Sequence, residues 1–319
     1  MAVYTEVSDG DLEKFVAAYE IGRVVACKGI AEGVENSNYL LQTDRGLYIL
    51  TLYEKRVAKA DLPFFVGLMD HLAAKGLACP TPIRARDGQV LHELANRPAA
   101  IISFLRGMWP KRILVTHCAQ VGEALARLHL AGADFPMHRP NALTLAGWKK
   151  LFEDCRGRAD EVQRGLAGEL ARELDELAAQ WPRGLPEGVI HADLFPDNVF
   201  FLDDKLSGMI DFYFACNDAF AYDLGICLNA WCFERDDSFN ATKARALVRG
   251  YAQTRAVTPA EVEVLPVLAR GSALRFLLTR LYDWLHHPTG AFVQPKDPLE
   301  YLKKLRFHRS VQSASAYGL

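Results

Sequence analysis

Residues 189–212 have the sequence VIHADLFPDNVFFLDDKLSGMIDF, and this stretch contains the strongest signal of fold and chemistry in the chain. Three short apolar runs within it predict buried strands, and the polar residues collect where these strands end. Side chains at the ends of neighbouring strands in a small sheet lie close together. We therefore expect Asp193, Asn198 and Asp211 to meet at one edge of a small sheet.

An aspartate, an asparagine five residues later and a second aspartate on a neighbouring strand suit phosphoryl transfer. One carboxylate would accept or orient the proton of a substrate hydroxyl. Asn198 and the other carboxylate would hold Mg²⁺, which prefers hard oxygen ligands and bridges the phosphates of a nucleotide. Because Mg²⁺ keeps several of its waters, one or two carboxylates are enough.

The composition excludes several classes of protein. The chain has 319 residues, enough for two domains of ordinary size. Its 37 basic and 39 acidic residues give a net charge of −2, so the basic surplus of a nucleic-acid-binding protein is missing. No apolar run approaches the roughly 20 residues of a membrane span, and the polar N-terminus is unlike a signal peptide. The seven cysteines include no CxxC pair, which is typical of reduced thiols in the cytoplasm.

The order of strands and helices predicts two lobes of different composition. Residues 1–105 combine a capped amphipathic helix at 8–20, short strands and one inserted helix at 61–75, and the strands predict an antiparallel sheet. Residues 106–319 are helical in period almost throughout, and the longest predicted helix covers 259–285. The expected fold class is α+β, with a short hinge at 105–108 and a cleft in which a ligand would bind.

The motifs resemble those of kinases with the aminoglycoside-phosphotransferase fold. HADLFPDN at 191–198 matches the HxDxxxxN catalytic loop of these enzymes, IDF at 210–212 resembles their metal-binding motif, and Asp223 matches the start of their next helix. Over the full length, stretches such as GIAEGVENSNYLL at 29–41 and CPTPI at 79–83 are similar to proteobacterial homoserine kinases of this superfamily.

The resemblance implies a bilobal, protein-kinase-like fold and an activity. The N-terminal lobe would bind the nucleotide, and the helical C-terminal lobe would contain the catalytic loop and the substrate pocket. The enzyme would be cytoplasmic and would phosphorylate the hydroxyl of L-homoserine with ATP and Mg²⁺, on the route to threonine. Its partners would be these small molecules only, with no nucleic acid or membrane, and it would be a monomer or a weak dimer.

The resemblance also implies roles for the catalytic residues. Asp193 would be the catalytic base and would contact the substrate hydroxyl. His191 would brace the loop by hydrogen bonds or, alternatively, transfer protons. Asn198 and Asp211 would be the magnesium ligands.

A pocket for homoserine needs a cation for the substrate carboxylate. Arg275 lies among apolar residues of the late helix, so it is the arginine that we expect to point inward and bind this carboxylate. A buried salt bridge from Arg275 to an acid such as Asp218 is the alternative. Tyr213, next to the metal motif, and Trp231 would line the same pocket, unless they belong to the hydrophobic core.

The nucleotide is expected to bind residues of the N-terminal lobe. Glycines between two strands allow N–H groups to approach phosphates, although an ordinary hairpin loop explains them equally well. The segment 101–105 would be the hinge that meets adenine, or else a core strand. The residues expected at the nucleotide are Gly29, Gly33, Asn36, Ser37, Asn38, Thr51, Ser103 and Leu105.

One departure from the kinase pattern leaves the function open. Thr51 occupies the strand position that usually holds a lysine, and Phe65 lies near the position of its glutamate partner. Losing both residues together avoids a buried unpaired charge. Two alternatives therefore stand beside homoserine phosphorylation: a kinase of choline, an aminoglycoside or another small alcohol, and a nucleotide-binding pseudokinase.

Overall fold

The computed structural model describes residues 5–30, 36–54, 58–287 and 295–319, which fall into two compact units. Unit 1 consists of Met1–Gly107 together with Ser207–Tyr213, and unit 2 consists of Met108–Leu206 together with Phe214–Leu319. The segment Ser207–Tyr213 is thus grouped with the N-terminal part of the chain, although the sequence analysis assigned it to the C-terminal lobe.

Unit 1 contains a five-stranded antiparallel sheet with the strand order β1-β2-β3-β5-β4. Along the second strand the residues alternate between buried and more exposed positions, as expected for a strand with one face on the core. The strands are β1 (Val24–Gly29), β2 (Ser37–Thr43), β3 (Gly46–Leu52), β4 (His92–Leu94) and β5 (Arg97–Ser103).

Two helices complete unit 1, α1 (Asp9–Val16) and α2 (Leu62–Ala74). Ser8 caps α1, since its side chain accepts the N–H of Asp11 at 3.2 Å. Pro63 lies in the first turn of α2, where an N–H would have no helical partner anyway. The buried side chains of α1 and of the sheet form one core, which includes Leu12, Phe15, Val16, Leu41, Leu50 and Ile101.

Unit 2 is mostly helical. Its longest helix, Pro259–Leu285, matches the predicted range and begins at a capping box of Thr258 and Glu261. The helices are α3 (Val115–Ala131), α4 (Leu145–Arg156), α5 (Ala159–Val162), α6 (Leu166–Gln180), α7 (Phe220–Trp231), α8 (Ala241–Ala252), α9 (Pro259–Leu285) and α10 (Pro298–Ser310). Helix α9 packs against α4, α6, α7 and α10. None of the helices in the described ranges has the length and apolar character needed to cross a bilayer.

The strands of 189–212 are present, but they do not form the single sheet that we expected. Strand β6 (Glu187–Ile190) pairs antiparallel with a strand that the sequence analysis missed, Cys216–Ala219 (β9). Strand β7 (Val199–Leu202) continues through a turn into β8 (Lys205–Met209), which begins in unit 2 and ends in unit 1. The fourth strand was missed because its sequence, CNDA, has no apolar run.

Candidate active site

The loop 191–198 begins directly after β6 with an unusual backbone conformation. Ala192 has a φ of 61°, a left-handed conformation that costs a non-glycine residue roughly 1–2 kcal/mol. The buried carboxylate of Asp223 holds this turn: its Oδ2 accepts the N–H of His191 at 2.7 Å, and its Oδ1 accepts the N–H of Ala192 at 3.0 Å. Asp223, at the start of α7, therefore fixes where the loop leaves the strand.

Asp223 is itself held by a hydrogen-bonded chain that the sequence analysis missed. His129 Nε2 lies 3.1 Å from Asp223 Oδ2, and His129 Nδ1 lies 2.7 Å from the hydroxyl of Tyr251. Burial raises the pKa of Asp223, but the hydrogen bonds from His129 and from the backbone N–H of His191 outweigh burial and lower this pKa overall. Burial lowers the pKa of His129, so a neutral ring donates to the carboxylate and accepts from the tyrosine. In the sequence, the one signal for this hydrogen-bonded chain was a histidine, His129, on the apolar face of α3.

Asp193 is the acidic side chain that this loop presents. Its side chain is 18% exposed, and its N–H donates to Nδ1 of His191 at 3.3 Å, a contact of the bracing kind expected for His191. Burial raises the pKa of Asp193 to about 6, and the nearby guanidinium of Arg275 opposes this increase. The carboxylate is thus ionised at neutral pH, with a pKa suited to accepting a proton.

Asn198 is oriented by the backbone that precedes it. Its Nδ2 donates to the carbonyl oxygen of Asp193 at 2.8 Å and lies 3.4 Å from Asp193 Oδ2. The short 3₁₀ turn Pro196–Asn198 brings the amide back toward the start of the loop. With Nδ2 used in this way, Oδ1 is the atom of Asn198 that is suited to bind a cation.

Trp231 corrects one sequence prediction. Its side chain is fully buried, and its indole N–H donates to the carbonyl oxygen of Leu194 at 2.7 Å. In this position Trp231 supports the catalytic loop from the core and does not line a pocket. The alternative that it belongs to the core is the one that the structure favours.

Asp211 follows β8 and is exposed, with a φ of 65°. Such left-handed conformations in non-glycine residues are often found at functional sites. The structure assigns Asp211 to unit 1, and Asp193 and Asn198 to unit 2, so their meeting at one site stays a prediction. Among the described residues no group of three or more histidine, cysteine, aspartate or glutamate side chains could bind a metal.

Arg275 points inward, as predicted, and its partners in the described part of the chain do not include Asp218, the alternative that we considered. Its guanidinium donates through Nη1 to the carbonyl oxygen of Ala192, and Nη2 lies 4.0 Å from Asp193 Oδ1. Asp218, the acid considered in the sequence analysis, accepts instead from Asn141 at 2.7 Å. The guanidinium that was expected to bind a substrate carboxylate is therefore engaged with the catalytic loop.

Several residues predicted to bind the nucleotide hold the ends of strands in unit 1. Gly29 ends β1, and Gly33 lies outside the described residues. Ser37 is buried and donates to Oε1 of Glu54 at 2.7 Å, while Asn36 Oδ1 accepts the N–H of Glu54 at 3.3 Å. These two polar side chains stabilise the strand ends through Glu54, a residue that the sequence analysis did not single out.

Thr51 and Phe65, which we expected at the positions of the usual lysine–glutamate pair of kinases, make uncharged contacts. The hydroxyl of Thr51 donates to Asn38 Oδ1 at 2.8 Å. The ring of Phe65 packs edge-on against Tyr213, with 5.7 Å between ring centroids, and the hydroxyl of Tyr213 lies 3.3 Å from that of Tyr53. Burial raises the pKa of Tyr213 to about 12, so its phenol stays neutral.

The predicted hinge residues pack within unit 1. Ser103 pairs with Thr81 twice, through its backbone N–H and through Oγ, both at 2.9 Å. The side chain of Leu105 covers Gly208 so closely that a Cβ at this glycine would lie 2.6 Å from Leu105 Cδ1. Both residues contribute to the packing of this segment, and their contact with adenine stays a prediction.

Comparison with known proteins identifies the class of enzyme to which this loop belongs. A family model described as "Phosphotransferase enzyme family" matches residues 26–257. Among solved structures, an amicoumacin kinase in complex with AMP-PNP, Ca²⁺ and its ligand has a TM-score of 0.72 at 13% identity, with coverage of 96% of this chain and 95% of that one. The chain belongs to the phosphotransferase enzyme family and has the α+β fold that the motifs predicted.

Two curated relatives of high similarity define the group within this family. A homoserine kinase from Parvibaculum lavamentivorans is 65% identical over 100% of this chain and 99% of the relative. One from Paramagnetospirillum magneticum is 64% identical over the full length of both proteins. The chain is thus a member of the homoserine kinases of this family, which confirms the predicted resemblance.

Proposed function

We propose that the protein transfers the γ-phosphoryl group of ATP to the hydroxyl of L-homoserine and forms O-phospho-L-homoserine and ADP. One observation carries the proposal: the loop presents the carboxylate of Asp193 beside the oriented amide of Asn198, in a chain that matches homoserine kinases over its full length. This activity belongs to threonine biosynthesis, and we place the protein in the cytoplasm.

Phosphoryl transfer depends on the positioning of the reactants more than on covalent catalysis by the protein. The substrate oxygen forms a bond to the γ-phosphorus while the bond from this phosphorus to the bridging oxygen of ADP breaks. Asp193 orients the attacking hydroxyl and accepts its proton, for which an ionised carboxylate is needed. Asp223 keeps the loop in the conformation that presents Asp193.

Mg²⁺ supplies positive charge to the phosphates when it is bound. Asn198, through Oδ1, and Asp211, through its carboxylate, are the residues that would hold it. Their chemistry fits the ion, since both offer hard oxygen atoms and one carboxylate suffices when phosphates and waters complete the coordination. Since Thr51 and Phe65 carry no charge, the protein relies on Mg²⁺ and on a cation other than the usual strand lysine.

A substrate panel tests the proposed function. The purified protein is incubated with ATP and Mg²⁺ and with L-homoserine, choline or kanamycin in separate reactions, and the phosphorylated product is identified by mass spectrometry. We expect O-phosphohomoserine from the first reaction and only trace turnover in the other two. Efficient phosphorylation of choline or kanamycin would favour a kinase of another small alcohol. Nucleotide binding without turnover of any acceptor would indicate a pseudokinase.

A further inference from the structure

Arg275 lies buried in unit 2, in the middle of α9, and its guanidinium donates to the carbonyl oxygen of Ala192 in the loop 191–198. Its side chain is 3% exposed. The guanidinium carbon lies 4.2 Å from the ring centroid of Phe276 and 5.3 Å from that of Phe214. Flat contact with aromatic rings is favourable for a guanidinium, and it restricts the directions in which the group can donate hydrogen bonds.

The two peptide groups that flank the Cα of Ala192 are held by groups of opposite charge. The N–H of Ala192 donates to Asp223 Oδ1 on α7, and the carbonyl oxygen of Ala192 accepts from Arg275 on α9. Ala192 is the left-handed residue directly before Asp193. A strained conformation of this kind persists only where the surroundings specify it more than once, and here a carboxylate and a guanidinium do so.

The two helices that supply these charges approach each other closely. A Cβ added at Gly225 would lie 3.0 Å from the backbone nitrogen of Ala269, so a glycine is needed where α7 crosses α9. The carboxylate and the guanidinium therefore project from a tightly packed helix pair, and their positions relative to the loop are well defined.

We propose that Arg275 is a positioning residue for phosphoryl transfer and that it does not bind the carboxylate of the substrate. By fixing the carbonyl group of Ala192, it sets the direction in which the next residue, Asp193, meets the substrate hydroxyl. Loss of the Arg275 guanidinium would shift the carboxylate of Asp193 and lower kcat, because a displacement of about 1 Å at a reacting group can cost about 10²-fold in rate. The proposal relies on the proposed function only for the choice of substrate in the kinetic test.

The competing interpretation also has an observation in its favour. The Nε–H of Arg275 is buried and has no hydrogen-bond partner in the described part of the chain. A substrate carboxylate that reached this N–H would make Arg275 a binding residue. The two interpretations differ in the kinetic constant that they change, since a residue used for substrate binding affects KM, and one used only in the transition state affects kcat.

Steady-state kinetics of Arg275→Ala and Arg275→Lys distinguish the two interpretations, with L-homoserine and its analogue homoserinol, which lacks the carboxylate. We expect Arg275→Ala to lower kcat about 10²-fold with little change in KM for homoserine. The preference for homoserine over homoserinol should be as large as in the unmodified protein. Arg275→Lys should keep an intermediate kcat, since an ammonium group can still donate to the carbonyl group of Ala192. A large rise in KM with an unchanged kcat, together with loss of this preference, would overturn the proposal.

Arg270→Ala is the matched control for removing an arginine from α9. Arg270 is also buried, but it pairs with Glu173 and Glu176 and does not touch the loop. We expect this variant to lose stability and to keep its kcat. An equal fall in kcat for Arg270→Ala and Arg275→Ala would mean that damage to α9 explains the effect, and it would contradict the positioning role.

Hydrogen exchange tests the same proposal without any substrate. In Arg275→Lys, which keeps a cation in the core, the amides of 191–198 should exchange faster than in the unmodified protein, whereas Arg270→Ala should leave them unchanged. Unchanged exchange in Arg275→Lys, with full kcat, would refute the positioning role. Failure of the proposed function would be seen separately, as a lack of homoserine turnover in the unmodified protein. In that case the exchange measurement still decides the role of Arg275.

Discussion

His129 Nε2 lies 3.1 Å from Asp223 Oδ2, and both side chains are completely buried. This contact joins α3 to α7 behind the catalytic loop, and the same carboxylate accepts two backbone N–H groups of the loop. A buried carboxylate is tolerated when hydrogen bonds replace its lost hydration, and Asp223 accepts such bonds from His129 and from the N–H groups of His191 and Ala192. The loop that carries Asp193 thus depends on a network of buried polar side chains in the core of unit 2.

Replacing the carboxylate of Asp193 by an uncharged amide tests whether this residue is the catalytic base. Asp193→Asn should lower kcat by roughly 10²-fold or more, in line with the usual contribution of a general base. The affinity for ATP should change little, since Asp193 is not assigned to the phosphates. Initial rates and a nucleotide-binding titration measure both quantities. A variant with nearly normal turnover would exclude Asp193 as the base.

The two residues that we propose as metal ligands, Asn198 and Asp211, differ in charge, and their variants should differ accordingly. Asp211→Ala should abolish turnover and weaken the binding of Mg²⁺-ATP. Asn198→Ala should have a milder effect, because a neutral ligand contributes less to holding a dication. Activity measured against Mg²⁺ concentration compares the two variants. An unaltered Mg²⁺ requirement in Asp211→Ala would contradict its assignment as a ligand.

Replacing the carboxylate under the loop should affect stability and activity together. In Asp223→Asn, one side-chain N–H faces a backbone N–H, so a buried donor loses its acceptor. Leaving a buried donor without an acceptor commonly costs about 1–3 kcal/mol, and we expect a loss of at least this order in the free energy of unfolding. Urea denaturation measures the loss. Asp175→Asn, at an exposed position of α6, is the control and should be nearly neutral. Equal stability of the two variants would show that the network is unimportant.

His308 makes the stability of the protein depend on pH. Its Nδ1 lies 2.7 Å from the hydroxyl of Tyr317, its Nε2 lies 3.1 Å from Asn229 Oδ1, and burial lowers its pKa to about 3. Because the unfolded chain binds a proton near pH 6.5 and the folded chain does not, stability falls as the pH drops from about 6.5 toward 3. Between pH 7 and pH 5 the loss from this group is about 2 kcal/mol.

Urea denaturation at several pH values checks this dependence in His308→Gln, which cannot titrate. The unfolding free energy of the variant should fall less steeply below pH 6.5 than that of the unmodified protein. The same replacement at the exposed His138 is the control and should leave the slope unaltered. Parallel slopes for His308→Gln and the unmodified protein would show that His308 is not buried in its neutral form.

Local signals were enough to predict the catalytic loop and the longest helix. The motif HADLFPDN covers only the eight residues 191–198 and includes both Asp193 and Asn198. The start of α9 is specified by the neighbouring Thr258, Pro259 and Glu261. Capping residues and apolar periodicity act over a few positions along the chain, so they can be recognised without knowing what packs against them.

By contrast, the hydrogen-bond partners of buried polar groups could not be predicted from local signals, because long-range packing determines them. The sequence indicated that Arg275 points inward, but its acceptor, the carbonyl group of Ala192, is 83 residues away along the chain. Strand β9 forms because β6 offers it an edge, although its own sequence is polar. Which donor meets which acceptor in a core is decided by how helices and strands pack, since most buried polar groups are hydrogen-bonded and local sequence does not specify to which partner.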